Sequence, residues 1–326
     1  MTDRFLISNC NRLTEVQTTQ LKTCLSEITP SSSIWQQIEC YDVNNDKMIS
    51  YSEIPENEIS VVAKLLGILP DGEIGGIQQG EIGDCWLLGD AVSLSLTKQG
   101  KESIKNAIDY NHLGTSDDPY IVYLINTEGK KIEISLTEEE LQNYKRKKYS
   151  NGDIDIKMLE VAIEKYFDSE RAKGIEFANN EELLDGGIPN VGKYSVTWML
   201  TGQSGKGLTS STIRDEFKDS FSPLTKDTVT TAMEHYADNQ SNIAFTCSFS
   251  GTSVEKESSK PSLFGFLFDK PLIGNHCYTV SGVIKNCNGN IELVRCLNTH
   301  DTHKEILIPY EKFLSSVDQI SYIEFE

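Results

Sequence analysis

The chain has 326 residues, of which 38% are hydrophobic, so it is long enough to bury a sizeable core and to form about two domains. Its formal net charge of −19 argues against nucleic acid or an anionic membrane as the main partner, because both attract clustered cations. No stretch approaches the ~18 uninterrupted apolar residues of a membrane span, and the first residues do not form a secretory leader. We expect a globular protein without a membrane span, cytoplasmic or exported without a signal peptide. Composition leaves its oligomeric state open.

The N-terminal segment is predicted to form two helices. Thr14 begins a capping-box sequence that ends at Gln17, and apolar residues follow at helical spacing. The polar residues 29–33 interrupt this helix and supply caps for a second helix, which carries Ile34 and Ile38 on one face.

Residues 42–53, directly after these helices, resemble an EF-hand calcium loop. Such a loop needs oxygen ligands at its positions 1, 3, 5, 7 and 12 and an apolar residue at position 8, here Ile49. The predicted metal ligands are Asp42, Asn44, Asp46, the backbone carbonyl of Met48, and Glu53.

Two features depart from the calcium-loop pattern. Lys47 stands where the loop normally has glycine for a sharp turn, and Pro55 constrains the helix that follows. The other interpretation is a polar loop that only resembles the pattern. We predict Ca²⁺ at this loop, in a structural or a regulatory role, and no organic cofactor.

A glycine-rich break at residues 70–76 predicts a domain boundary. We divide the chain into a helical EF-hand-like segment (1–70), a mostly helical lobe (71–190) and a β-rich lobe (191–326). The fold class is α+β, and a cleft between two such lobes is a common place for a site. The predicted elements are strands at 119–125, 131–136, 243–249, 277–284, 291–297, 306–308 and 319–325, and helices at 154–167 and 229–236.

Residues 79–88, Gln-Gly-Glu-Ile-Gly-Asp-Cys-Trp-Leu-Leu, place Cys85 at the start of a predicted helix. A cysteine attacks as the thiolate, and we expect the free N–H groups and positive dipole of a helix start to lower the thiol pKa. Gln79 lies six positions earlier and can turn its amide toward the oxyanion that forms when the thiolate attacks a carbonyl. The other cysteines form no Cys-x-x-Cys pair and are interpreted as reduced, small hydrophobic residues.

Five histidines are candidates for the base that would share a proton with this thiol. His276 opens an alternating strand, which can direct its first side chain into a cleft, although a structural role is the other interpretation. Asn298 ends a second apolar strand, where its side-chain oxygen can accept an imidazole N–H. The remaining four have ordinary surface interpretations: His112, His235, His300 and His303.

As an ordered set, these motifs resemble the protease core of the calpain family of papain-like cysteine proteases. The family's Gln-Gly-x-x-Gly-Asp-Cys-Trp-Leu-Leu motif is matched in full by residues 79–88. Weaker elements follow in the family's order, over about residues 74 to 326: 158–163, Gly186-Gly187, 276–282 and 295–298.

The resemblance implies a papain-like two-lobed fold and cysteine-type endopeptidase activity on protein or peptide substrates. By it, Cys85 is the nucleophile, His276 is the general base and then acid, and Asn298 orients the imidazole. Gln79 and the Cys85 backbone N–H would stabilise the oxyanion.

The resemblance also assigns substrate-binding residues and shows departures from the family. Gly186 and Gly187 would form a wall against which a peptide backbone packs closely. Asn275 replaces the family's usual glycine, so we expect its side chain to narrow the cleft and alter specificity. Thr299 and His300 replace the family's Pro-Trp, whose indole shields the Asn-His hydrogen bond. We therefore expect a wetter and weaker pair.

Calcium regulation through the protease core is less well supported by the sequence. Gly76 replaces the aspartate that supplies a calcium ligand in animal calpains, while Glu160 retains the glutamate that accompanies it. The leading hypothesis is a calpain-like thiol protease in which calcium at residues 42–53 either stabilises the fold or modulates the cleft. The alternatives are a catalytically weak or inactive calcium-binding interaction protein, and a transglutaminase-like acyl transferase, which normally uses aspartate as its third residue.

Overall fold

The computed structural model describes residues 13–32, 34–144, 148–172, 192–210, 220–249 and 272–326. The predicted substrate-binding residues Gly186 and Gly187 lie outside these ranges. Within them the chain forms a mixed α+β fold with three sheets. None of the described helices combines the length and apolar composition needed to cross a membrane.

The N-terminal segment contains α1 (Glu15–Glu27), α2 (Trp35–Ile38) and α3 (Ile59–Leu65). The predicted capping box is confirmed, since the Thr14 side chain accepts the Gln17 N–H. The second predicted helix is short, because α2 passes into the 3-10 turn Glu39–Tyr41. Helix α3 begins only after Pro55, as expected of a residue that cannot donate within a helix. A small core joins the segment: Leu21, Leu25, Ile38, Ile49, Ile54 and Val62.

Polar contacts attach this segment to the helical region that follows. The amide of Gln17 donates to the Tyr120 hydroxyl at 2.7 Å in a buried position. The Thr14 hydroxyl donates to Glu138 at 3.0 Å. Buried polar groups need such partners, so these bonds help to fix how α1 lies against its neighbour.

The helical region is built around α4 and α7. Its elements are β1 (Ile77–Gln78), α4 (Cys85–Ser95), α5 (Lys98–Ala107), β2 (Ile108–Asp109), β3 (Tyr120–Ile125), β4 (Lys131–Leu136), α6 (Glu138–Asn143), β5 (Asn151–Gly152), α7 (Ile154–Ala172) and α8 (Val196–Thr201). Strands β2, β3 and β4 form an antiparallel sheet, in which β3 and β4 correspond to the strands predicted at 119–125 and 131–136. Apolar residues of α4, α7 and α8 share one hydrophobic core.

The β-rich region follows. Its elements are β6 (Lys206–Thr209), β7 (Phe221–Pro223), α9 (Lys226–Asp238), β8 (Ile243–Phe249), β9 (His276–Lys285), β10 (Ile291–Asn298), β11 (Asp301–Pro309), α10 (Tyr310–Ser316) and β12 (Val317–Glu324). The strand order is β11-β10-β9-β8-β12-β6-β7, antiparallel except for the parallel pair β6–β7. A second core lies between this sheet and α9.

The predicted strands agree with this sheet, with one clear difference in length. Strand β8 has the predicted bounds, whereas β11 extends the predicted 306–308 to Asp301–Pro309. The first half of β11 is polar, so no apolar pattern predicted it. Backbone pairing with β10 stabilises this part of the strand. Helix α8 packs with α4 although it follows residue 190. The three-part division of the chain stays a prediction.

Helix α4 lies close against strand β9 because of Gly89. A Cβ at this position would lie 2.9 Å from Cys277 Sγ, which is closer than real Cβ contacts. The Thr279 hydroxyl donates to the Gly89 carbonyl at 2.7 Å across the same contact. This packing brings the first turn of α4 beside the start of β9, where Cys85 and His276 lie.

Candidate active site

Cys85 is the first residue of α4, as predicted. The pKa of its thiol shifts in the direction opposite to the predicted one. Burial raises the thiol pKa above its usual value. Backbone N–H groups of Cys277, Trp86 and Cys85 itself oppose this by stabilising the thiolate. The prediction of a lowered pKa is therefore wrong in net direction, because desolvation of this half-buried sulfur outweighs the helix start.

His276 and Asn298 are brought together as predicted. His276 Nε2 lies 2.8 Å from Asn298 Oδ1, across paired strands β9 and β10. The His300 backbone N–H donates to the same oxygen at 2.9 Å, which identifies that atom as the amide oxygen. Nε2 must therefore carry the proton that Asn298 accepts. This tautomer leaves Nδ1 as the nitrogen that can take a proton from a thiol.

Burial lowers the pKa of His276 to about 4, although the hydrogen bond to Asn298 opposes the shift and His300 adds to it. A neutral imidazole and a neutral thiol are both favoured by desolvation at neutral pH. The Cys85 thiol and the His276 imidazole are therefore both uncharged at neutral pH.

His300 and Thr299 enclose the imidazole from the side where the family carries Pro-Trp. The rings of His276 and His300 stack with centroids 4.4 Å apart and planes 7° from parallel. His276 is 5% exposed and Thr299 is fully buried. The expectation of a wetter pair is wrong, because His300 covers the imidazole and His276 is buried. The expected weakening of the pair stays a prediction.

Gln79 lies on the loop that leads into α4. Its side-chain amide nitrogen donates to the Ile82 carbonyl at 2.8 Å and lies 3.4 Å from Asp84 Oδ1. Its backbone N–H donates to the Thr299 carbonyl at 2.9 Å. An oxyanion role requires the amide to exchange one of these side-chain bonds for a substrate oxygen.

A buried acid pair supports the same loop, and sequence reasoning did not identify it. Burial and the nearby Glu160 carboxyl raise the pKa of Asp84, and burial also raises the pKa of Glu160. Glu160 accepts the Ser150 N–H at 3.0 Å, and a side-chain hydrogen bond joins the Asp84 and Glu160 carboxyls, which requires one of the two to carry a proton. The available signal was an acidic residue inside the apolar run 158–163.

Two of the departures from the family have structural reasons. Asn275 adopts the left-handed conformation, with φ of +54°, and asparagine and glycine tolerate this region best. At Gly76, a Cβ would lie 2.0 Å from His303 Cε1. The His303 ring therefore occupies the space beside Gly76, and an aspartate there would require that ring to move.

The predicted calcium loop has the internal hydrogen bonds of a tight, ligand-ordering turn. Asp42 accepts the N–H groups of Asp46 and Lys47 at 3.1 and 3.0 Å. Asn44 accepts the Asp46 N–H at 2.8 Å, and Asp46 accepts the Met48 N–H at 2.9 Å. Each of these side chains thus forms a hydrogen-bonded turn with the backbone of the residues that follow it.

Lys47 makes the sharp turn that the pattern assigns to glycine. Its φ is +66°, in the left-handed region, and Asn45 has φ of +58°. A non-glycine residue there costs about 1–2 kcal/mol. Ile49 is buried in the segment's core, as predicted for position 8. The turn is therefore formed despite the departure, at a cost in backbone strain.

Glu53 has one carboxylate oxygen available to a ligand. Oε2 accepts the backbone N–H and the hydroxyl of Ser50, both at 2.8 Å. Those bonds lower the Glu53 pKa, so the carboxylate is ionised at neutral pH. Oε1 is buried, and the Asn44 and Val43 backbone N–H groups lie near enough to help lower the pKa of this carboxyl, without forming hydrogen bonds of normal geometry. An ionised carboxylate with a weakly bonded buried oxygen fits a hard cation such as Ca²⁺.

No group of three or more His, Cys, Asp or Glu side chains within the described ranges is gathered as a metal cluster. The three carboxylates of the loop, Asp42, Asp46 and Glu53, are described and are not gathered in this way, so calcium binding by the loop stays a prediction.

No protein-family model matches this chain, and no curated protein sequence matches it. Function is therefore inferred from the site geometry and the motifs.

Proposed function

We propose that the protein is a calpain-like cysteine endopeptidase with a papain-like two-lobed arrangement, acting on protein or peptide substrates. The observation that carries this proposal is the His276–Asn298 hydrogen bond of 2.8 Å beside the sulfur-bearing start of α4. The Cys277 N–H, from the residue next to His276, also donates to Cys85. These contacts support a shared site for a nucleophile, a base and an orienting amide.

The chemistry begins with a neutral pair. Nδ1 of His276 takes the thiol proton as Cys85 Sγ attacks the substrate carbonyl, and the Nε2–H stays bound to Asn298. The Cys85 backbone N–H and a released N–H of Gln79 stabilise the oxyanion. His276 then protonates the leaving amine, a thioester remains on Cys85, and water attacks it with His276 again acting as the base.

Calcium binding by residues 42–53 is the second part of the proposal. Asp42, Asn44, Asp46, Glu53 and the Met48 carbonyl would hold the ion. A bound Ca²⁺ would neutralise their charge and stabilise the left-handed turn at Lys47. The loop's Ile49 packs in the same core as α1, which contacts Tyr120 and Glu138 of the catalytic region. This connection supports a stabilising or modulating role.

The test is casein cleavage with and without calcium, by the wild-type chain and Cys85→Ala. We expect cleavage only by the wild type. Cys287→Ala, which alters an exposed thiol, is the matched control and should cleave normally. Equal activity of the Cys85→Ala protein would contradict the proposal.

Two observations favour a second candidate, a weakly active or inactive calcium-binding interaction protein. The Gln79 amide nitrogen is bound to Ile82 and the resting thiol has a raised pKa. A folded wild-type chain that binds calcium but cleaves no peptide library would support this candidate. Amine incorporation into a protein without cleavage would instead indicate the acyl-transferase alternative.

A further inference from the structure

Thr299 lies between the proposed base and the proposed oxyanion donor. Its hydroxyl oxygen is 2.9 Å from Gln79 Oε1 and 3.2 Å from His276 Nε2. The side chain is fully buried, so bulk water does not compete for either contact. Gln79 and Thr299 are 220 positions apart in the chain, and only the fold places them together.

The direction of each hydrogen bond follows from the groups involved. Gln79 Nε2 donates to the Ile82 carbonyl, so the amide atom facing Thr299 is the oxygen, which can only accept. The single hydroxyl proton of Thr299 therefore points to Gln79. A lone pair of the hydroxyl then faces His276 Nε2, whose proton is shared between Thr299 and Asn298.

All bonds in this chain donate in the same sense, from imidazole N–H to hydroxyl to amide oxygen. Hydrogen bonds aligned in this way polarise one another, by roughly 10–30% per bond. A positive charge on His276 strengthens its N–H as a donor. The Thr299 hydroxyl then donates more strongly to Gln79, which makes the amide N–H groups of Gln79 better donors.

We propose that Thr299 is a positioning residue that couples proton uptake by His276 to oxyanion stabilisation by Gln79. Cys85 gives up its proton in the same step in which the oxyanion forms, so the coupling would act when the oxyanion needs its donor. This inference rests on the proposed peptidase function. It assigns a role to a residue at which the sequence departs from the family.

A nearby threonine provides a matched control. Thr302 also joins this turn to the loop before α4, since its hydroxyl accepts the Ile77 N–H at 2.8 Å and donates to the Ile77 carbonyl. Among the described residues, the Thr302 hydroxyl forms hydrogen bonds only to backbone and none to His276 or Gln79. Thr302→Val removes a comparable link between the two regions and leaves the side-chain relay intact.

The kinetic test compares Thr299→Val, Thr299→Ser and Thr302→Val on a peptide substrate. We expect Thr299→Val to lower kcat about tenfold with KM within about twofold, because the lost interaction acts mainly in the transition state. Thr299→Ser keeps the hydroxyl and should restore most of kcat. Thr302→Val should retain wild-type kcat. If Thr299→Val does not fold, Thr299→Ala replaces it in the same comparison.

A double variant tests the coupling itself. If Thr299 acts through Gln79, Gln79→Ala with Thr299→Val should lose no more kcat than Gln79→Ala alone. Three results would each overturn the inference. They are losses of kcat that multiply in the double variant, a wild-type kcat in Thr299→Val, and a loss of kcat in Thr302→Val equal to that in Thr299→Val.

The Gln79 side-chain amide resonances in an NMR spectrum provide a readout that does not need peptidase activity. They should shift in Thr299→Val and stay in place in Thr302→Val. If the wild type is inactive but the Gln79 resonances shift only in Thr299→Val, the proposed function is contradicted and the hydrogen-bonded relay is supported. If the wild type is active but the Gln79 resonances do not shift in Thr299→Val, only the relay is contradicted.

Discussion

The calcium loop and the candidate active site hold their functional groups in opposite ways. In residues 42–53, the side chains of Asp42, Asn44, Asp46 and Glu53 each accept a backbone N–H of their own loop, within five positions along the chain. In the active site, the bonds join Gln79, His276, Asn298 and Thr299 from separate elements. The loop is mostly exposed, whereas His276 and Thr299 are buried.

This difference decides how each site responds to change. Buried hydrogen bonds are strong and costly to break, because water cannot replace a lost partner. Exposed carboxylates are screened, and their affinity for a cation depends on several groups acting together. A single substitution should therefore have a large effect in the active site and a graded effect in the loop.

The largest expected effect comes from His276→Ala. Removing the base should lower kcat by about 10²- to 10⁴-fold, because proton transfer by a positioned side chain contributes that much. Labelling of Cys85 at neutral pH by a thiol-directed protease inhibitor should fall as well. Mass spectrometry of labelled peptides measures the labelling of Cys85 in the wild type and in His276→Ala. Uniform slow labelling of every cysteine in the wild type would contradict the reactive pair.

Acid should destabilise the buried site through His276. Its folded pKa of about 4 lies below the ordinary value of 6.5, so the unfolded chain binds more protons between these values. Stability should therefore fall as pH drops from 6.5 to 4, by up to about 3 kcal/mol from this group.

Denaturant unfolding of wild type and His276→Gln at several pH values isolates this contribution. The difference in unfolding free energy between the two should change across that window. A constant difference between wild type and His276→Gln would show that the buried imidazole does not resist protonation.

Calcium should stabilise the loop by mass action. At a free concentration of 100 times Kd, binding to the folded state adds about 2.7 kcal/mol, and Tm should rise accordingly. Glu53→Gln should lose most of this rise, because it removes charge from the carboxylate with the weakly bonded oxygen. Glu56→Gln, an exposed acid just outside the loop, should keep it. Identical melting curves with calcium and with chelator would rule out a functional calcium site.

The smallest expected effect is at Asn275. Its left-handed backbone predicts that Asn275→Gly changes stability little, while Asn275→Ala costs about 1 kcal/mol. Thermal melting of the two variants tests this. Cleavage profiles on a peptide library would show whether the exposed Asn275 side chain narrows the cleft, since glycine should then broaden the accepted residues.

The sequence by itself determined the local features. The capping box at Thr14, the helix start at Cys85, the bounds of β8 and the positions of the loop donors depend on neighbours in the chain, so short-range patterns identify them. It also selected His276 and Asn298, because strand ends and an ordered motif set pointed to them.

Only the tertiary structure decided the environment of those groups. Burial reversed the expected pKa shift of Cys85, and the His300 ring closed a site expected to be wetter. The Asp84–Glu160 pair and the Thr299 bridge to Gln79 also depend on residues far apart in the chain. Desolvation and hydrogen bonding act through space, and a one-dimensional pattern contains no distances, so these properties could be read only from the folded chain.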